Sequence, residues 1–154
     1  MAQTIISAGS IKTPIVSSPV LQTQSGSFIT LPVAPIPPPG VQILPYESLL
    51  FEFDTTKYFG LIADVYVKNN NTEVFSILTA YVVGNYYGDL AQITVTLIDN
   101  VVYPSGNTEI RDNIIIGPAG LLQPQEPPII YIVAQNFNTG SSYTVDTIIR
   151  GFTK

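Results

Sequence analysis

The chain has 154 residues, 45 % of them hydrophobic and 11 % charged, with a net charge of −5 and neither histidine nor cysteine. That length is one domain with room for an appendix, and the missing residue types exclude a Ser-His-Asp triad, thiolate metal sites and a disulfide framework. The six basic residues (Lys12, Lys57, Lys68, Arg111, Arg150 and Lys154) are scattered, whereas a phosphate backbone is bound by clustered cations, so nucleic acid is not an expected partner.

The first ten residues, MAQTIISAGS, have neither a basic stretch nor a continuous apolar core, so no signal peptide is visible. No apolar run approaches the length of a membrane span, and no membrane insertion is expected. Residues 1–45 hold eight of the thirteen prolines and one charge, Lys12. Short β-prone runs at residues 4–7, 11–16 and 27–33 alternate with breakers. Pro14, Pro19 and Pro32 bar a central strand position but allow an edge. Pro35, Pro37, Pro38, Pro39 and Gly40 favour a polyproline II spacer and read as a hinge. The expectation is an extended arm over residues 1–45 and a folded domain over 46–154.

The arm is too rich in β-branched residues to read as a disordered tail. Burial of each large aliphatic or aromatic side chain is worth about 1.5–3 kcal/mol. Ile5, Ile6, Ile11, Ile15, Val16, Phe28, Ile29 and Leu31 are therefore expected to form an assembly interface. For residues 27–33, pairing with the chain's own domain is an equal alternative. Residues 2–16 are expected to act on another copy. Twenty extended residues reach about 65 Å, far beyond a domain with a radius of gyration near 13 Å. Such a contact is head to tail, and it propagates into a filament unless the rotation closes. The expected partner is other copies of the same chain, as a homo-oligomer or polymer.

From residue 46 the pattern is that of strands. Residues 47–54 (ESLLFEFD) and 58–67 alternate apolar and polar side chains, and residues 68–72 (KNNNT) are a turn cluster. Residues 73–83 follow, with a stop expected at Gly84-Asn85. Residues 90–98 (LAQITVTLI) alternate most cleanly, with Ala91, Ile93, Val95 and Leu97 expected inward. Turns are expected at Asp99-Asn100 and at residues 104–107, and strands at 109–116, 128–135 and 142–152. Seven or eight strands at this spacing predict an all-β, antiparallel β-sandwich, with a jelly roll as the expected topology.

Chemistry-bearing motifs are sparse. No glycine-rich phosphate loop occurs, and no catalytic, cofactor-binding or metal residue is assigned. Glu52 and Asp54 share one strand face, the placement of a glycosidase pair, but a solvated face explains them. Asp89 and Asp99-Asn100 read as turn residues rather than a calcium loop. Asn70-Asn71-Thr72 fits a glycosylation sequon within an Asn-rich turn. Tyr81, Tyr86 and Tyr87 cluster near Gly84 and Gly88, either capping the core or offering aromatic rings to a ligand.

An apolar N-terminal connector, a proline spacer and a small β-sandwich together resemble the layout of the pilin-type subunits of bacterial endospore appendages. The resemblance implies a jelly-roll domain that polymerises by inserting its connector into neighbouring subunits. Members of that group cross-link through connector cysteines, which residues 1–45 lack, so strand donation here would be non-covalent. The expected function is a non-enzymatic structural subunit of an extracellular or spore- or cell-surface fibre, without cofactors. The alternatives are a viral capsid or phage decoration protein with an exchanged arm, located in a virion, and a carbohydrate-binding module using the Tyr81–Tyr87 region.

Overall fold

The computed structural model describes residues 16–17, 21–118 and 126–154, with side chains from residue 29 onward. In chain order the strands are β1 (Val16–Ser17), β2 (Leu21–Leu31), β3 (Tyr46–Asp54), β4 (Tyr58–Asn69), β5 (Phe75–Tyr87) and β6 (Leu90–Tyr103). A helical turn, α1 (Glu109–Asn113), precedes β7 (Ile114–Pro118), β8 (Ile129–Asn136) and β9 (Tyr143–Thr153). They form a long sheet, β1-β2-β9-β4-β5-β6, and a short one, β3-β8-β7.

The protein is an all-β, antiparallel sandwich. Alternation builds it: Leu61, Ala63, Val65 and Val67 of β4 face inward, as do Val145, Thr147 and Ile149 of β9. Phe51 and Phe53 of β3 and Ile130 and Ile132 of β8 meet them from the short sheet. β4, β5 and β6 pair consecutively as a meander within one sheet. Among the described residues the long sheet thus contains a three-strand meander.

Three elements differ from expectation. Residues 109–116 are not one strand, because α1 occupies the first five. Asn107 Oδ1 accepts from the Glu109 amide at 2.8 Å and the Thr108 carbonyl accepts from the Asp112 amide at 2.8 Å, while Ile110 anchors the turn in the core. β5 runs through Gly84-Asn85 to Tyr87. Gly84 marks close packing rather than a turn, since a Cβ there would lie 2.5 Å from the Ile130 side chain. The reversal comes at Gly88, whose φ of +65° suits glycine. β6 continues through Asp99-Asn100, where a register shift opposite Ile77/Leu78 absorbs the irregularity.

The arm also differs. β2 pairs with β9 of the same chain from Leu21 opposite Phe152 to Leu31 opposite Tyr143, so the strands of the sandwich begin before the expected boundary at residue 45. Ile29 and Leu31, in the segment for which the sequence leaves pairing with its own domain as an equal alternative to an interface between copies, are buried in the chain's own core. The link after β2 is held down as well. The buried Asn136 amide donates to the Pro32 and Ser141 carbonyls at 2.8 and 2.9 Å, and the Ala34 amide donates to the Asn138 carbonyl at 2.8 Å. Residues 35–40 thus connect the long sheet to β3. The Val41 amide closes that turn on the Pro38 carbonyl at 3.1 Å, with Gly40 at φ +80°. Val16 pairs with Thr23, and Phe28 stands opposite Asp146. Ile5, Ile6, Ile11 and Ile15 lie outside the described residues.

Candidate functional site

The sheets are unequal in width, and the mismatch falls at β6. None of its fourteen residues is fully buried. Ile93 and Val95 lean on the core, but Leu97, also expected inward, remains 42 % exposed. The cause is topological: among the described residues the short sheet ends at β7, so the inner face of β6 projects past it. Between the two edges runs an apolar groove of about 340 Å³ lined by Leu78, Leu97, Ile110, Ile114 and Ile116. At its rim Arg111 donates from Nε and Nη2 to Asp99 Oδ2 at 3.1 and 2.7 Å. Among the described residues, β6 and β7 each have an outer edge with no strand beside it.

A polar cluster that sequence reasoning missed fixes one wall of this groove. Tyr143 Oη donates to Glu109 Oε1 at 2.6 Å and accepts from Asn138 Nδ2 at 2.9 Å. Asn69 Nδ2 donates to the same Glu109 oxygen. Burial, then the Glu109 hydrogen bond, pushes the Tyr143 hydroxyl far above its ordinary value. The cluster ties α1 to the ends of β4 and β9 and so positions Ile110. Its members are far apart in sequence, and no local pattern marks them.

The outer face of the long sheet is also apolar. Tyr66, Phe75 and Tyr103 form a row across three strands, with ring centroids 5.5 and 5.2 Å apart. Ile77, Ile98, Val101 and Ile148 are exposed around it. Arg150 and Asp64 form an ion pair there at 3.0 Å.

The tyrosines named from sequence divide. Tyr86 packs on the core and donates to the Ile129 carbonyl at 2.6 Å, and burial pushes its hydroxyl up. Tyr81 and Tyr87 are exposed. Tyr87 joins Phe59, Asn85, Gln92 and Lys154 around an open depression of about 380 Å³. The other motifs act as turn chemistry. Asp54 accepts from the Thr56 amide and hydroxyl at 2.8 and 2.6 Å, and the hydroxyl bond leads in holding its carboxyl below the usual range. A glycosidase acid needs the opposite shift. Asn70 is engaged by Ser142 at 3.0 Å and Thr144 at 2.7 Å, and Thr72 accepts from the Val74 amide at 3.2 Å. Asn100 donates to Thr79 Oγ1 at 2.7 Å, bracing the irregular part of β6.

Comparison with protein-family models, curated proteins and solved structures finds no match for this chain.

Proposed function

We propose that the protein is a non-enzymatic structural subunit that assembles head to tail with copies of itself through its N-terminal segment. The observation that supports this reading is the edge strand β6. It is fourteen residues long, its only charge is Asp99, and it contains neither lysine nor proline. Leu90, Leu97, Ile98 and Val101 are exposed along it. Proteins that stay monomeric blunt such edges with charge, proline or a covering element, because a long apolar edge is a template for pairing with another chain. Among the described residues, only a register shift interrupts this one. A surface poor in charge fits the same reading, since neighbouring copies would cover it. Location at an extracellular, spore or cell surface rests on the resemblance of the sequence alone to endospore-appendage subunits.

Negative-stain electron microscopy of the purified chain, with and without residues 1–16, tests the proposal. The full chain should form fibres, and the truncated chain should remain a folded monomer by circular dichroism and light scattering. Fibres from the truncated chain would remove the N-terminal segment from the mechanism. Closed particles from the full chain would favour the capsid-like alternative.

A further inference from the structure

Among the described residues, the groove between β6 and β7 has the form of a strand position beside the edge of the short sheet. A fourth strand beside β7 would widen the short sheet and cover Leu97 together with the exposed sides of Ile93 and Val95. It would also hydrogen-bond to the outer edge of β7, which has no strand beside it among the described residues. The cavity has room for a few branched aliphatic side chains at core packing density.

We infer that this position is filled by residues 5–15 of a second copy of the chain. This inference rests on the assembly reading above and adds the acceptor site to it. Period-2 alternation places Ile5, Ser7, Gly9, Ile11, Thr13 and Ile15 on one side of a strand, with Ile6, Ala8, Ser10, Lys12 and Pro14 on the other. The first set would enter the groove, and Lys12 would stay in water. Backbone N–H groups alternate in the same way. If the odd-numbered residues pair with β7, the missing donor of Pro14 faces outward, where an edge strand tolerates it. The charges agree: residues 1–45 carry one positive charge, whereas residues 46–154 carry five basic and eleven acidic residues.

The direction of the contact follows from the strand order. The leading residues join the sandwich at β1, the opposite edge of the long sheet from β6. Fifteen extended residues span about 50 Å. To reach its own groove the segment would cross about 24 Å of sheet and then about 10 Å between the layers. Too little chain would remain to fill the site. Donor and acceptor lie on opposite edges of one molecule, so the contact joins unlike surfaces of two copies.

The absence of native cysteine makes a cross-linking test direct. Two full-length copies with different C-terminal tags are co-expressed, one with Ile11→Cys and the other with Leu97→Cys, and mildly oxidised. The expected result is an intermolecular disulfide at least about tenfold more abundant than with Ile148→Cys on the outer face, because docking raises the local thiol concentration. A full-length chain with Leu97→Lys and Ile115→Lys, both at exposed positions of the groove, should keep its circular dichroism spectrum and lose fibre formation. Fibres from that variant, or preferential linkage to position 148, would overturn the groove assignment and leave the assembly reading intact. A disulfide within single monomers carrying both Ile11→Cys and Leu97→Cys, with no fibres, would overturn both. A disulfide within a chain carrying Leu97→Cys and Leu121→Cys would assign the groove to residues 119–125 and also overturn the inference.

Discussion

β6 and β8 are both rich in apolar residues and reach different ends. β6 alternates apolar and polar side chains over its first nine residues, whereas β8 (IIYIVAQN) is a nearly continuous apolar run. In β8, Ile130, Ile132 and Ala134 are wholly buried, because β3 and β7 flank the strand and the long sheet covers it. In β6 the alternation is clean, yet no residue is fully buried. Periodicity marks a face that needs a cover, and only the tertiary arrangement says whether the chain supplies one.

The comparison can be sharpened by mutation. The largest effect is expected at Ile132: Ile132→Ala should cost about 2–5 kcal/mol in urea unfolding, as for other large-to-small core changes. Tyr143→Phe comes next, at about 1–3 kcal/mol, since it leaves the Glu109 carboxylate and Asn138 amide without a shared partner. Its pH dependence has a defined sign. The folded-state hydroxyl titrates above its ordinary value, so its contribution is complete below about pH 10 and is lost as the pH rises further. Urea midpoints between neutral and strongly alkaline pH should therefore fall less steeply in Tyr143→Phe than in the parent chain. The smallest effect is expected at Leu97, where Leu97→Ala should cost less than about 1 kcal/mol in the unassembled chain. If Leu97→Ala matched Ile132→Ala there, the contrast between the strands would fail.

The sandwich was legible because β4 and β9 alternate, β8 is a short apolar run and the KNNNT turn is dense in breakers. The sequence reading mistook α1 for strand because five residues are too few to display a helical period. It stopped β5 at Gly84 because glycine reads as a turn, whereas the residue is there to admit Ile130. It also split β6 at Asp99-Asn100, where side-chain partners on Arg111 and Thr79 let the strand continue. For residues 27–33, apolar alternation established that the segment needs burial. Whether its own domain or another supplies the partner depends on the free edge of β9, which no local pattern reveals. The groove was illegible for the same reason: its walls come from β5, β6, α1 and β7.

The placement of β1 and β6 at opposite margins has a kinetic corollary. A row of subunits joined across those margins would have dissimilar tips, one presenting an empty slot and the other a free tail. Elongation would then proceed at unequal speeds at the two tips. A single copy lacking its tail could still receive a neighbour but could not dock onto one, so small amounts of it would arrest growth from one tip only.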